Sequence, residues 1–323
     1  MSETAPLLTV EDLSVEFRTR DGIVRAVDRV SFDVRWGETV GVVGESGSGK
    51  SVTALAIMGL LHPAGRVTDG RVIFRGVDLL AGGEGQRRRY RGRELSMIFQ
   101  SPRTALNPIR PVGKQIEDVV RRHADLAGTR ARDRALGLLA EVQIPDPGRS
   151  YQAYPFELSG GVCQRVMIAM AVACVPALLI ADEPATGLDV TTQAAILDLL
   201  KQFAQERRMA TLLISHDLAV IGERSDRIVV MHAGHVVEMA RTAELFRAPR
   251  HPYTARLIAS TPRPGATLGD LKPIPGGVPD LRGNLPPCRY RARCDRAIPA
   301  CDEPPLPRVE LTPGHTVACR VPL

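Results

Sequence analysis

The sequence predicts an α/β protein in which a largely parallel β-sheet is covered by helices on both faces. Short apolar runs that suit buried strands alternate with longer segments of helical periodicity. A glycine-rich loop stands between an early buried run and the first helical segment. Strands that are joined through helices run parallel and are buried on both faces, so these two observations indicate the fold class.

The first part of the chain favours β-structure around one helix. Alternating polar and apolar residues flank a turn at Arg20–Gly22, which predicts a β-hairpin. The elements expected here are, in order, the hairpin strands Leu7–Phe17 and Val24–Val34, the buried strand Thr39–Val43, the helix Ser51–Leu61, and the strands Arg71–Arg75 and Leu95–Phe99.

A helical insert follows, and the α/β pattern then resumes. Prolines open the insert after Ser101, and helical periodicity continues in Gly113–His123 and Thr129–Val142. The later elements are expected to be the strand Ala177–Glu183, the helix Thr191–Arg207, the strand Ala210–Ser215 and a hairpin over Arg227–Met239. Beyond Ala248 periodicity fades, so we place a domain boundary near Pro249.

Composition indicates an ordinary globular protein. The chain has 323 residues, 44% hydrophobic and 24% charged, which suits one large or two modest domains. The densest basic run, Arg87–Arg93, is expected to be a solvated loop face, and we expect no nucleic-acid binding. The N-terminal Met1–Pro6 carries no recognisable secretory signal. The uncharged run Val166–Ala181 is too short to span a bilayer and predicts a buried helix followed by a buried strand. We therefore expect a soluble protein.

The loop Gly44–Ser51 matches the phosphate-binding pattern G-x-x-x-x-G-K-[ST], with a strand before it and a helix after it. Its glycines allow positive φ, so the backbone can wrap closely around an anion. The helix that begins near Gly49 aims its unpaired N–H groups at the phosphates. Lys50 would supply charge to the β and γ phosphates, and the Ser51 hydroxyl would bind Mg²⁺.

Two further segments carry chemistry that suits a nucleotide. The apolar strand that ends at Asp182 is typical of the magnesium-binding element of such enzymes, and Glu183 directly after it could deprotonate the attacking water. Leu158–Arg165 reads L-S-G-G-V-C-Q-R at the start of a helix, where Ser159 is a natural N-cap. This segment predicts a second anion site in the same chain.

With that segment, the sequence resembles the ATP-binding cassette family, whose signature is L-S-G-G-Q. In this family two subunits pair head to tail, and the signature of one closes over the ATP held by the phosphate loop of the other. Gln100 matches the family's Q-loop glutamine, His216 its switch histidine and Ala185–Asp189 its D-loop. Val162 replaces the signature glutamine and Gly187 the more usual D-loop alanine.

These patterns, together with the family resemblance, imply a set of site residues. The catalytic candidates are Lys50, Gln100, Glu183 and His216, and the Mg²⁺ ligands Ser51, Gln100 and Asp182. The nucleotide contacts are Phe17 on the adenine, then Gly44, Ser46, Gly47, Ser48, Gly49, Lys50, Ser51, Val52, Ser159, Gly160, Gly161 and Asp189.

Within the family, the chain is most similar to the ATPases of dipeptide and oligopeptide importers, a branch that includes nickel and glutathione importers. The shared stretches are Gly44–Leu60, Leu106–Pro108, His251–Thr254 and Ile274–Pro279. The resemblance implies a cassette domain over residues 1–249, with a RecA-like core, an antiparallel β subdomain and a helical subdomain over about 101–175. A cysteine-rich extension would occupy residues 250–323.

Four of the six cysteines lie in the last 36 residues, at Cys288, Cys294, Cys301 and Cys319. Four clustered thiols suit a soft metal, and the short C-x2–4-C spacing of zinc sites is missing. The resemblance implies a 4Fe-4S cluster at these positions; zinc, or no metal, remains the alternative.

The resemblance implies an ATP-hydrolysing motor subunit at the cytoplasmic face of the plasma membrane, with ATP and Mg²⁺ as cofactors. Its partners would be a second, non-identical ATPase, two transmembrane permease subunits and a periplasmic or lipoprotein substrate-binding protein. The alternatives are a nickel or glutathione importer, a cassette ATPase of translation or repair, and a cassette kept only as an iron–sulfur or regulatory scaffold.

Overall fold

The computed structural model describes residues 5–124, 126–262 and 272–323. Residues 1–4 and 263–271, which belong to the predicted N-terminal and extension segments, lie outside the described residues. The chain divides into two compact units, one of residues 1–82 and 213–323 and the other of residues 83–212. The boundary near Pro249 stays a prediction.

The strands of the described residues are β1 (Leu8–Thr19), β2 (Gly22–Val34), β3 (Thr39–Val43), β4 (Gly65–Phe74), β5 (Val77–Asp78), β6 (Leu95–Ile98), β7 (Leu178–Asp182), β8 (Ala210–Ile214), β9 (Arg227–His232), β10 (His235–Arg241), β11 (Val309–Thr312) and β12 (His315–Val317). The α-helices are α1 (Lys50–Met58), α2 (Gly83–Tyr90), α3 (Pro102–Ala105), α4 (Val112–His123), α5 (Gly128–Glu141), α6 (Pro147–Gln152), α7 (Gly160–Val172), α8 (Val190–Glu206), α9 (Leu218–Arg224), α10 (Thr242–Arg247) and α11 (Pro252–Ala259). The division between the units falls inside β8.

In the first unit, β2, β1, β4 and β5 form an antiparallel sheet in that order. The predicted hairpin is confirmed, because β1 pairs with β2 from Thr19↔Gly22 to Leu8↔Val34. Gly22 has φ 125°, which a side-chain-bearing residue rarely adopts at a tight turn.

The same unit holds a second group of strands, in the order β11-β12-β10-β9-β3. β3 pairs parallel with β9, and the other pairs are antiparallel. Every residue of β9 is buried, as the prediction of a sheet covered on both faces requires. The hairpin of β9 and β10 turns at Ala233 and Gly234, as expected.

In the second unit, β6 pairs parallel with β7, and both strands are entirely buried. The uncharged run forms most of α7 and then β7, so the prediction of a buried helix followed by a buried strand is confirmed. None of the helices in the described part of the chain is long and apolar enough to cross a bilayer.

Three local predictions differ from the structure. Part of the basic run expected as a loop lies in α2, because Glu84 pairs with Arg87 and Arg88 one turn along the helix and with Arg91 just beyond its end. The first helix ends at Met58, since Gly59 takes the left-handed conformation and its N–H caps the last turn. Beyond Ala248, α11 was not expected, although Pro252 stands at its first position and His251 caps it.

Candidate active site

The phosphate loop connects β3 to α1 and has the predicted backbone. Gly44, Gly47 and Gly49 have φ values of 153°, 79° and 100°. A Cβ added at Gly44 would lie 2.0 Å from the carbonyl oxygen of Met231 on β9. Only glycine fits at this position, because both the dihedral angle and the space exclude a side chain.

Polar groups point into this loop from its own residues. Lys50 is 5% exposed, and its Nζ donates to the carbonyl oxygens of Gly44 at 2.7 Å and Glu45 at 3.0 Å. Ser48 is fully buried, and its Oγ has no hydrogen-bond partner among the described residues. A buried hydroxyl without a partner is costly unless a ligand oxygen satisfies it, so the loop fits a phosphate.

The remaining predicted nucleotide contacts lie in the loop itself and in the first turn of α1. Ser46 is exposed, while Ser51 and Val52 are half-buried in the first turn of α1. Each therefore keeps part of its surface accessible to a ligand. Their contacts with nucleotide stay predictions.

The second unit brings two catalytic candidates into direct contact. Asp182 is 4% exposed at the end of β7, and Glu183 follows it with φ 47°. Gln100 Nε2 donates to Glu183 Oε2 at 3.0 Å, and Thr186 Oγ1 donates to the same oxygen at 3.0 Å. The left-handed conformation of Glu183 is a strain that an oriented side chain can justify at a functional position. Thr186 was missed because its only signal was its place inside the D-loop stretch.

The signature segment lies at an open groove of the second unit. Ser159 is exposed and caps α7, with its Oγ accepting from Val162 N–H at 3.3 Å. Gly161 approaches Thr192 so closely that an added Cβ would lie 2.9 Å from its Cγ2 atom. The groove is lined by Gln100, the signature residues and the D-loop.

Asp189 has a structural role as well as the predicted nucleotide contact. Its carboxylate caps α8, accepting from Thr192 N–H at 2.9 Å and Thr192 Oγ1 at 2.6 Å. These hydrogen bonds from Thr192 hold the pKa of Asp189 below its usual value. Asp189 therefore remains ionised at neutral pH.

The first unit contains the other two side chains predicted to contact the nucleotide, Phe17 and His216. Phe17 is half-buried near the end of β1, and a Cβ added at Gly65 would lie 2.6 Å from its ring. His216 is exposed directly before Asp217, which caps α9. Partial exposure leaves both rings open to a ligand, and their roles stay predictions.

The four cysteines of the tail all carry free thiols. Cys288, Cys301 and Cys319 are buried and Cys294 is half-buried. Burial, with the charge of the other three thiols, raises the pKa of Cys288 to about 11. Cys294, Cys301 and Cys319 also interact electrostatically with one another. Within the described ranges, no three His, Cys, Asp or Glu side chains are grouped closely enough to hold a single metal ion.

Comparisons with known proteins decide the family. A family model described as "ABC transporter" matches residues 27–186, and one described as "Oligopeptide/dipeptide transporter, C-terminal region" matches residues 237–301. The dipeptide transport ATP-binding protein DppD of Bacillus subtilis is 45% identical over 97% of this chain and 94% of its own length. The chain belongs to the ATP-binding subunits of ABC peptide transporters. It is an ABC-type ATPase.

Further relatives agree with this family. DppD of Escherichia coli is 47% identical over 98% of this chain and 97% of its own, and a putative peptide import ATP-binding protein of Brucella abortus is 45% identical over 98% and 95%. Among solved structures, a dimeric ATP-binding cassette with ADP and phosphate bound superimposes with a TM-score of 0.66 at 26% identity, covering 73% of this chain and 98% of that one. The predicted ABC-type P-loop fold is confirmed.

Proposed function

We propose that this ABC ATPase drives the import of dipeptides and oligopeptides. The observation that carries the proposal is the hydrogen bond from Gln100, which follows β6, to Glu183, which directly follows the strand that ends at Asp182. A carboxylate oriented by two donors, beside a buried aspartate, suits the activation of water for attack on a γ-phosphate. Peptides are proposed as cargo because the relatives bear names of dipeptide and peptide transport proteins.

The proposed chemistry assigns a role to each group. Lys50 and the loop N–H groups bind the β and γ phosphates, and Glu183 accepts the proton of the attacking water. His216 contacts the γ-phosphate. Oxygens of Ser51, Gln100 and Asp182 would hold Mg²⁺, which prefers oxygen ligands.

The proposed assembly contains a second, non-identical ATPase. Ser159, Gly160, Gly161 and Asp189 would contribute to the ATP held by that partner's phosphate loop. Two permease subunits and a substrate-binding protein complete the importer, which places this chain peripherally at the cytoplasmic face of the plasma membrane. Exposure of Ser159 at the open groove supports this arrangement.

A 4Fe-4S cluster is proposed for the tail. Four free, mutually interacting thiols supply the donor set of such a cluster. The spacing of these cysteines also lacks the short C-x2–4-C pattern of zinc sites, whereas iron–sulfur clusters accept looser spacing. When bound, the cluster would cross-link the tail, and its irons would hold the thiols as thiolates.

The motor function is tested in the reconstituted importer. Glu183→Gln should lower ATP turnover at least about 100-fold, because the general base is lost, while ATP binding is retained. Glu223→Gln, at an exposed position on α9, is the matched control and should change neither quantity. Turnover that is unchanged in Glu183→Gln would contradict the assignment.

The cargo is tested in the same vesicles by uptake of labelled dipeptides and oligopeptides. ATP-dependent peptide uptake is the expected result. Uptake of Ni²⁺ or glutathione in place of peptides would overturn the proposed cargo and leave the ATPase assignment intact.

The cluster is tested by anaerobic purification with metal and sulfide analysis. About four irons and four sulfides per chain are expected. Cys301→Ser should lower the iron content, whereas Cys174→Ser should not, because Cys174 lies outside the tail. Stoichiometric zinc, or the absence of both metals, would exclude the cluster.

A further inference from the structure

The segment between the first two tail cysteines, Cys288–Cys294, reaches the phosphate loop through an arginine. Arg293 Nη1 donates to Glu45 Oε2 at 2.7 Å, and its Nη2 donates to Glu45 Oε1 at 2.8 Å. The Arg293 side chain is 5% exposed and the Glu45 side chain 27%. Two parallel charge-assisted bonds of this kind fix orientation as well as distance.

Glu45 is the second residue of the phosphate loop, and it is held at three points. Its carboxylate accepts from Arg293, its N–H donates to the hydroxyl oxygen of Tyr253 at 3.0 Å, and its carbonyl oxygen accepts from Lys50. Two of these partners, Arg293 and Tyr253, lie in the C-terminal part of the chain. The start of the loop is therefore positioned by residues more than 200 positions away in sequence.

The charge of Glu45 makes this contact consequential. Burial raises the pKa of the Glu45 carboxyl, but the hydrogen bonds and charge of Arg293 outweigh that effect and leave the pKa below its usual value. Glu45 is therefore ionised at neutral pH, inside a loop that binds an anion. Without Arg293, its carboxylate would lose its bidentate partner, His232 Nδ1 would remain 3.7 Å from Oε2, and the negative charge would repel the phosphates.

The segment that carries Arg293 is itself anchored. The buried Arg289 donates to the carbonyl oxygen of Ala233 at 2.5 Å and pairs with Asp28, also at 2.5 Å. Arg291 pairs instead with Asp302, inside the tail, at 2.9 Å. The alternate arginines of one short segment thus contact the β-strands, the tail and the phosphate loop in turn.

Aromatic rings fill the space between the segment and the loop. Tyr290 packs against Tyr253 and against His232 at ring-centroid distances of 5.3 Å each, and Tyr253 lies 4.6 Å from His232. All three side chains are buried. A close-packed core transmits a displacement of the tail to the loop and does not absorb it.

We propose that Arg293 is a positioning residue for the phosphate loop: acting through Glu45, it sets the affinity for ATP and makes that affinity depend on the folded cysteine tail. The proposal uses ATP binding at this loop, which belongs to the proposed function. Arg293 touches no reacting atom. Its effect therefore falls on nucleotide affinity, and the hydrolysis step at Glu183 is unaffected.

The test measures the Kd of a fluorescent ATP analogue and the KM and kcat for ATP in the importer complex. Arg293→Ala should raise Kd and KM about tenfold with kcat within about twofold, since the carboxylate of Glu45 then lacks its guanidinium partner in the loop. Arg293→Lys should be intermediate, because it keeps the charge without the fork. Arg291→Ala is the matched control, from the same segment, and should behave as wild type.

A double-mutant cycle separates positioning from general damage to the tail. Glu45→Gln removes the charge that Arg293 neutralises, so adding Arg293→Ala to Glu45→Gln should raise Kd by less than about twofold. Effects that add in the double variant, or equal effects of Arg291→Ala and Arg293→Ala, would overturn the proposal. So would a fall in kcat at constant KM.

Failure of the proposed function gives a different result. A wild-type complex that binds the analogue without hydrolysing ATP or moving peptides would contradict the motor function, whereas the Kd series still decides the role of Arg293. If Arg293→Ala does not fold, Arg293→Lys and Glu45→Gln supply the same comparison.

Discussion

Two segments of this chain are rich in glycine and lead into a helix, yet they differ in structure. The phosphate loop before α1 has three glycines in the left-handed region and a lysine that is 5% exposed. At the signature before α7, no residue has a positive φ among those described, and Ser159 caps an ordinary helix at an open groove. Composition alone does not distinguish them; backbone conformation and burial do.

The difference indicates that the two segments have different roles in nucleotide binding. The phosphate loop forms a cradle from its own backbone and Lys50, so we expect it to bind nucleotide within one chain. The signature offers one exposed hydroxyl and the N–H groups of a helix start, which we expect to contact an anion from one side only. We infer that the signature acts on a nucleotide bound elsewhere, and the following experiments test this contrast.

The largest effect is expected from a methyl group in the phosphate loop. Gly44→Ala should weaken ATP binding at least about 100-fold. The new Cβ would lie 2.0 Å from the carbonyl oxygen of Met231, and φ 153° is unfavourable for alanine, so the backbone must move. Gly160→Ala is the matched control, since its Cβ would meet only Leu188 Cδ2 at 3.7 Å. Calorimetric binding to the purified chain measures both. Equal losses in the two variants would remove the contrast.

Burial around the phosphate loop predicts a pH dependence that the open groove lacks. Burial, aided by the nearby positive charge of Arg293, lowers the pKa of His232 to about 4. The unfolded chain binds this proton near pH 6.5, so the stabilising effect of neutral His232 is complete above that pH and is lost as the pH falls towards 4. The loss between pH 7 and pH 5 is about 2 kcal/mol.

His232→Phe tests this contribution. Phenylalanine keeps an aromatic ring beside Tyr253 and Tyr290 and cannot titrate. Urea titration at several pH values measures the free energy of unfolding. Between pH 7 and pH 5, the variant should lose about 2 kcal/mol less of this free energy than wild type does. An identical slope in the variant would show that folding does not shift the pKa of His232.

The signature hydroxyl should matter only in the assembled importer. Ser159→Ala should lower ATP turnover of the complex about tenfold, through loss of one hydrogen bond to a charged phosphate, while ATP affinity of the isolated chain is unchanged. Ser159→Thr keeps the hydroxyl and the helix cap and serves as control. A loss of ATP affinity in the isolated chain would assign Ser159 to its own nucleotide.

Local structure could be predicted from this sequence more fully than contacts between distant segments. The positive φ angles of the loop glycines, the hairpin of β1 and β2, and the strand that ends at Asp182 each follow from spacing within a few residues, and these structural predictions are confirmed. The hydrogen bond between Gln100 and Glu183 joins two segments 83 residues apart, so no local pattern predicts it. The family resemblance suggested only that both residues act in one site.

The tail shows the same limit more strongly. Its cysteines stood out by type, but its arginines were indistinguishable from the general arginine excess of the chain. The roles of Arg289 and Arg293 depend on their ion pairs with Asp28 and Glu45, which precede them by 261 and 248 residues. Such distant pairs cannot be predicted from the sequence of the tail. Helix α11 escaped notice for a different reason: it has only eight residues, too few for a periodic pattern to emerge beside prolines.

The smallest effect is expected where the sequence departs from the family signature. Val162 stands in place of the usual glutamine, yet its contact with Ser159 is made by its backbone N–H. Any residue other than proline supplies that donor. Val162→Gln should therefore change ATP turnover of the importer by less than about threefold, against about tenfold for Ser159→Ala. A larger gain would mean that the side chain at position 162 contacts the partner's nucleotide, and that the exposed signature is more than a capped helix start.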